Sequence, residues 1–298
     1  MLDPGEKLLK YVWKDAAIRL KKVGVKTSLL DSRLLLQHVL GITYEELLVS
    51  ASKKVTDAEN ERFEELLSRR IKREPVSKIL EYKDFWKYRF KTNQYTLDPR
   101  PETETLIEAV LNDYKDHNRE LKILDLGTGS GCLLITLLKE YPKATGLGVD
   151  ISIEALKVAG ENAQKLEVSD RVNFIKGNWM HGIAEKFDII ISNPPYIKTK
   201  QIDYLADEVR LYDPKEALDG GEDGLNFYKE IVSSVESVMN KHAKVYFEIG
   251  KWQEEEVAKE IETKGFEIHE VRKDLLGIPR IISFNKPYLK VVGPKSLH

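Results

Sequence analysis

The sequence has 298 residues, 42% hydrophobic and 32% charged, with a formal net charge of −2, the profile of a globular chain long enough for about two domains. That charge balance excludes a wholly cationic nucleic-acid binder, and no uncharged apolar run approaches the ~20 residues that cross a bilayer. The single cysteine, Cys132, excludes an intrachain disulfide.

Met1–Glu6 has neither the basic nor the apolar region of a secretion signal, so a cytoplasmic protein is expected. Histidines stand at positions 38, 117, 181, 242, 269 and 298 with no metal-ligand spacing, so no metal is expected.

The first stretch is helical in pattern. Leu8, Leu9, Val12, Trp13 and Ala16 recur at helical spacing. A second helix is expected from Asp31 to Leu40, with Gly41 as its C-cap. Thr43-Tyr44-Glu45-Glu46 opens a third by the logic of a capping box. A fourth starts at Thr56 or Asp57 and runs to about Lys72, with Phe63, Leu66, Leu67 and Ile71 on one face. Its many Glu and Arg residues read first as a solvated face and second as a docking face. Glu74-Pro75 ends it.

Asp84-Phe85-Trp86-Lys87-Tyr88-Arg89-Phe90-Lys91 reads as a β-hairpin. Its interleaved aromatics and bases suit packing between domains, or stacking on single-stranded nucleic acid. In Arg100-Pro101-Glu102-Thr103-Glu104, Pro101 fits a first helical position, and Glu102 and Glu104 complement the positive end of the helix dipole. Arg100, Glu102 and Glu104 are also candidates to line a site.

Beyond residue 105 strands alternate with helices. Strands are expected at 121–126, 144–150, 171–175, 187–191, 245–249, 266–271 and 281–284. Helices are expected at 132–138, 153–166, 225–240 and 253–264. This is the pattern of a doubly wound, mostly parallel α/β sheet of seven strands. Residues from Pro287 onward read as a disordered tail.

Such sheets bind ligands at the carboxyl ends of their strands, and four strand ends carry unusual residues. After the first, Gly127, Gly129 and Gly131 let the backbone pass close to a ligand and open a helix. The Gly-x-Gly-x-Gly spacing is not the dinucleotide fingerprint, so a pyrophosphate is disfavoured, and Asp125 before the turn can pair with a cationic group. The second strand ends in Asp150, placed to accept two ribose hydroxyls, although an acid there, or Ser152, can also cap a helix. Asn178 and Trp179 follow the third and can hydrogen-bond and pack against a purine. Together these describe a nucleoside with a charged amino acid tail, which S-adenosylmethionine matches.

The fourth is Ser192-Asn193-Pro194-Pro195-Tyr196. Neither proline can donate to a sheet ladder, so the strand stops and leaves Asn193 at its end. The Asn193 side-chain oxygen and the Pro194 carbonyl can accept the two N–H groups of a planar nitrogen, with Tyr196 packed on its flat face. Such an arrangement makes the nitrogen a better nucleophile without a covalent step.

The combination of Asp125-Leu126-Gly127-Thr128-Gly129-Ser130-Gly131 with Asn193-Pro194-Pro195-Tyr196 resembles the class I methyltransferases that modify amide or amino nitrogens. Further stretches narrow this: Arg100-Pro101-Glu102-Thr103-Glu104, Gly177-Asn178-Trp179, the run from Ala217 to Leu225, and Asp274-Leu275-Leu276-Gly277-Ile278-Pro279-Arg280. Together they resemble the HemK/PrmC family of protein-(glutamine-N5) methyltransferases. Two departures are Asn178, where that family often has Asp, and Asp98, where it has an apolar residue.

The resemblance implies a class I methyltransferase Rossmann-like fold with an N-terminal helical substrate-recognition domain at 1–74 and a hairpin linker at 75–98. The methyltransferase domain would span 99–286, and the tail 287–298. It implies methyl transfer from S-adenosyl-L-methionine, giving S-adenosyl-L-homocysteine. The acceptor would be the glutamine of the Gly-Gly-Gln motif in class-1 peptide-chain release factors, a step in translation termination. The implied cofactor residues are Asp125, Gly127, Thr128, Gly129, Ser130, Gly131, Asp150, Asn178, Trp179 and Asn193. Asn193, Pro194, Pro195 and Tyr196 would hold the substrate and form the catalytic site. No membrane association and no stable nucleic-acid binding are expected. The rival enzymes are an adenine-N6 or guanine-N2 methyltransferase working on a flipped base, and a ribosomal-protein glutamine methyltransferase. A rival of another class is a non-catalytic cofactor-binding protein, which has no need of the Asn193 acceptor.

Overall fold

The computed structural model describes residues 7–287. Met1–Glu6 and all of the expected tail except Pro287 lie outside the described residues. In chain order the elements are α1 (Leu9–Lys22), α2 (Ser28–Leu40), α3 (Tyr44–Val49), α4 (Asp57–Ile71), α5 (Val76–Leu80), β1 (Tyr82–Phe85), β2 (Tyr88–Lys91) and α6 (Glu104–Asp113). There follow β3 (Lys122–Leu126), α7 (Cys132–Glu140), β4 (Thr145–Asp150), α8 (Ile153–Lys165), β5 (Val172–Lys176), β6 (Phe187–Ser192) and α9 (Asp207–Arg210). The chain closes with α10 (Asn226–Ser234), β7 (Met239–Glu248), α11 (Glu254–Thr263), β8 (Glu267–Lys273) and β9 (Pro279–Asn285).

These elements form two compact units. Of the described residues, one holds those up to Tyr82 with Leu205–Asp213, and the other holds Lys83–Tyr204 and those from Pro214. In the helical unit, Leu9, Leu20, Leu35, Leu36, Phe63, Leu67, Ile79 and Leu80 share one core. Local chemistry sets its helix ends. Thr43 with Glu46 and Thr56 with Glu59 form reciprocal capping boxes, and Gly41 closes α2 in the left-handed region at φ 64°. α2 begins at Ser28, earlier than the expected Asp31, because Asp31 is interior and buried, accepting from Arg70 Nε at 2.7 Å. α5 is absent from the sequence expectation. Pro75 stops α4 but restarts a turn, its carbonyl accepting from the Lys78 and Ile79 N–H groups.

The second unit carries a seven-stranded sheet in the order β5-β4-β3-β6-β7-β9-β8. The pairs from β5 to β7 are parallel, and β9 is antiparallel to both β7 and β8. Alternate residues supply two cores. Ile123, Ile189 and Ile191 pack with α6 and α7, whereas Leu124, Leu126 and Ile190 pack with α10 and α11. The order reverses between β3 and β6, so a crevice opens where their carboxyl ends diverge.

Two expected boundaries move. The helix expected to reach Asn240 stops at Ser234, followed by a 3₁₀ turn at Val235–Val238. β7 starts at Met239, not Val245, because Met239 pairs with Phe187; a register shift then brings Lys244 beside Ile189. Sheet pairing here overrides the helical look of the sequence.

The aromatic hairpin is committed internally. Phe85 and Phe90 are buried edge to face, 6.1 Å apart. Trp86 Nε1 and Lys87 Nζ donate to Glu140, and Arg89 donates to Asp84. Lys87 and Arg89 are thus ion-paired while their side chains stay exposed. Asp98 is buried and accepts from the Thr92 hydroxyl at 2.8 Å, which supplies the polar partner this position needs. Among the described residues no helix is long and apolar enough to cross a membrane.

Candidate active site

A cavity of about 530 Å³ opens at the carboxyl ends of β3, β4, β5 and β6, walled in part by residues 94–100.

 The cavity brings together Arg100, Gly127, Thr128, Gly129, Ser130, Asp150, Asn178, Trp179, Asn193 and Pro195. Asp125, Gly131, Pro194, Tyr196, Glu102 and Glu104 are not among the lining residues.

The glycine turn works through its backbone. Gly127, Gly129 and Gly131 have φ of 74°, 55° and 78°, which side chains rarely adopt. A Cβ on Gly129 would meet nothing within 4 Å, whereas one on Gly131 would lie 2.9 Å from Ile135 and 3.2 Å from Ala159. Gly131 thus serves the packing of α7 and α8. Asn162 braces the turn from below, donating to the Ser130 carbonyl at 2.9 Å and exchanging hydrogen bonds with the backbone of Lys91.

Asp125 lies beneath the turn, 1% exposed. Thr128 donates to one carboxyl oxygen at 2.7 Å, and the other is buried with no partner. Burial pushes this carboxyl up to about 7; Thr128 pulls it down and the charge of Asp150 adds to the rise. Asp150 accepts from the Gly129 N–H at 2.8 Å and the Ser152 N–H at 2.9 Å, and burial raises it too. Ser152, not Asp150, caps α8. Asn178 donates to Glu230 at 3.2 Å. Trp179 packs 5.2 Å from the Phe227 ring, and its indole N–H is buried without a partner.

Asn193 donates through Nδ2 to the Thr103 hydroxyl at 3.4 Å. Tyr196 is held at both ends. Its carbonyl accepts from Gln253 at 3.0 Å, and its phenol donates to Glu248 at 3.5 Å. Glycines are required behind the motif: a Cβ on Gly220 would lie 2.7 Å from the Pro195 carbonyl, and one on Gly224 would lie 2.6 Å from that of Tyr196. Asp223 caps the same loop, accepting from the Leu225 N–H and from Lys229. Glu104 faces elsewhere, its carboxylate accepting the Trp86 N–H at 2.7 Å.

Sequence reasoning missed Thr103, Glu248, Ile151 and Phe227. Glu248 is 2% exposed and accepts from Thr103 at 2.6 Å. Its only signal was an acid ending an apolar strand. Ile151, 54% exposed, lines the cavity beside Asp150 and could have been read from that adjacency. Among the described residues, no group of three or more His, Cys, Asp or Glu could hold a metal ion.

The sequence pattern of the Methyltransferase small domain matches residues 101–242, and that of the PrmC N-terminal domain matches residues 12–80. The chain is 42% identical over 266 residues to the release factor glutamine methyltransferase of Rhodospirillum rubrum, covering 89% of this chain and 81% of that one. It is 38% identical over 275 residues to the release factor glutamine methyltransferase of Caulobacter vibrioides, covering 92% and 95%. Among solved structures, the hMettl16 catalytic domain in complex with MAT2A 3′UTR hairpin 6 aligns with a TM-score of 0.53 at 16% identity, covering 65% of this chain and 74% of that one. That likeness is one of fold.

Proposed function

The chain belongs to the family of release factor glutamine methyltransferases, and from that premise we propose that it methylates the side-chain amide N5 of the glutamine in the Gly-Gly-Gln motif of class-1 release factors. The observation that carries this reading is Asn193. Its NH₂ is engaged by Thr103, and among the described residues its oxygen has no protein partner, so an acceptor remains for an amide N–H.

S-adenosylmethionine, when bound, supplies an electrophilic methyl group on a sulfonium. The residues present fit it. The partnerless buried oxygen of Asp125 would favour a cationic group, Asp150 would suit a ribose, and Trp179 with Ile151 and Phe227 would suit a purine. Asn193 and the Pro194 carbonyl orient the acceptor amide and stabilise positive charge as it develops on nitrogen. Pro195 and Tyr196 hold that pair rigid against Gly220 and Gly224. We place the reaction in the cytoplasm, where release factors act, and assign recognition of the protein substrate to the helical unit.

Mass spectrometry of a purified release factor after incubation with enzyme and cofactor tests the reading. The expected result is one added methyl on the Gly-Gly-Gln glutamine. An unmodified release factor beside a methylated duplex DNA, ribosomal RNA or ribosomal protein would replace it.

A further inference from the structure

An asparagine side chain has a donor end and an acceptor end of nearly equal shape. Methyl transfer to an amide needs the acceptor end turned to the substrate, so something must choose between the two. The choice matters on the amide acceptor proposed above. We propose that Glu248, through the Thr103 hydroxyl, is a positioning residue that fixes which way the Asn193 amide faces.

The chain of bonds has one permitted sense. Glu248 Oε2 lies 2.6 Å from Thr103 Oγ1, and an ionised carboxylate has no proton to give, so Thr103 donates. A hydroxyl has one proton. With it spent on Glu248, Thr103 offers only lone pairs to Asn193, 3.4 Å away, and can receive only its NH₂. The Asn193 oxygen is thereby turned away from Thr103. The other Glu248 oxygen takes the Tyr196 phenol at 3.5 Å, so one carboxylate bears on both ends of the Asn-Pro-Pro-Tyr motif. The Glu248 backbone is itself anchored, its carbonyl accepting from the Tyr228 hydroxyl at 2.8 Å.

The relay is strong where it must be. Thr103 is 3% and Glu248 2% exposed, so water does not compete for these bonds. The surroundings also set when the relay holds. Burial raises the Glu248 carboxyl to about 7; Arg280 on β9, Thr103 and Tyr196 pull it down, and Glu102 beside Thr103 pushes it up. Asp274 holds Arg280 in place at 2.9 Å. The remaining titratable neighbours, Cys132 at the start of α7 and Tyr228 on α10, are themselves kept protonated by burial. A protonated Glu248 can donate to Thr103 and release the constraint on Asn193.

Glu248→Gln keeps shape but supplies an NH₂ that can donate to Thr103, and Thr103→Val removes the hydroxyl. Each is expected to lower kcat by about tenfold or more while KM for the cofactor stays within about twofold, because the residues assigned to the methyl donor are left in place. Thr103→Ser should restore most of the rate lost in Thr103→Val. In the native enzyme kcat should fall as pH drops through about 7, and this limb should vanish in Glu248→Gln. A second readout needs no acceptor: the side-chain NH₂ resonances of Asn193 in ¹⁵N-asparagine-labelled protein, assigned by their loss in Asn193→Asp, should shift in Glu248→Gln and Thr103→Val and return in Thr103→Ser. Unshifted resonances, or native kcat with a native pH profile in Glu248→Gln, overturn the relay. Failure of the native enzyme to methylate release factor would instead remove the proposed acceptor and leave the resonance test standing.

Discussion

In the helical unit, Arg70 is 4% exposed and meets Asp31 at 2.7 Å and Glu208 at 3.0 Å, while buried Lys78 meets Asp213 at 3.4 Å. In the sheet unit, Asp125 and Glu248 lie as deep, yet their side chains are met by hydroxyls: Thr128 for one, Thr103 and Tyr196 for the other. The first arrangement neutralises charge where it is buried. The second leaves negative charge under strain, which is why both carboxyls rise to about 7. On the roles proposed above, the difference separates charges that hold a fold from charges kept for chemistry.

The comparison breaks first at Arg70. Arg70→Met leaves the buried Asp31 beside an apolar chain and Glu208 with Arg73 alone, and should destabilise the helical unit by about 3–5 kcal/mol. Hydrogen exchange of the α2 and α4 amides, followed by mass spectrometry, checks this; unchanged protection would mean the paired charges are not structural.

The lone carboxyls should behave oppositely. A carboxyl whose pKa is raised on folding contributes stability that is fully present below its unfolded value near ~4 and lost as pH rises toward about 7. Asp125→Asn removes that loss. Relative to the native protein its stability should therefore rise by about 1–3 kcal/mol from pH 4 to pH 8, read by denaturant unfolding, while cofactor binding weakens. A difference independent of pH would show that Asp125 carries no such strain.

An exposed pair supplies the lower bound. Asp84 and Arg89 have side chains 66% and 52% exposed. Asp84→Asn should change stability by less than about 0.5 kcal/mol in the same unfolding assay.

The sequence disclosed whatever depends on neighbours in the chain. The capping boxes at Thr43 and Thr56 are contained in four residues each. The glycine turn, Asp150, Asn178 and Asn193 stand at the ends of apolar runs that read as strands, and a doubly wound sheet gathers such ends on one edge. What escaped depends on distant partners. Thr103 looked like part of a helix start, and its hydroxyl gains meaning only from Glu248, 145 positions away. Glu208 is linked to Arg70 across 138 positions, so the place of Leu205–Asp213 in the helical unit left no local trace. Met239 looked helical because its partner, Phe187, lies on another strand.

That placement of Leu205–Asp213 has a consequence for inheritance. A helical module transplanted from one relative to another by joining chains near Tyr82 would arrive without Glu208 and Asp213, the counter-ions of its own Arg70 and Lys78. The heritable piece is therefore discontinuous: the nine residues travel with the helices, or the graft loses an ion pair at both Arg70 and Lys78. A change at Arg70 takes a partner from Glu208, although nothing in the order of the chain marks them as neighbours.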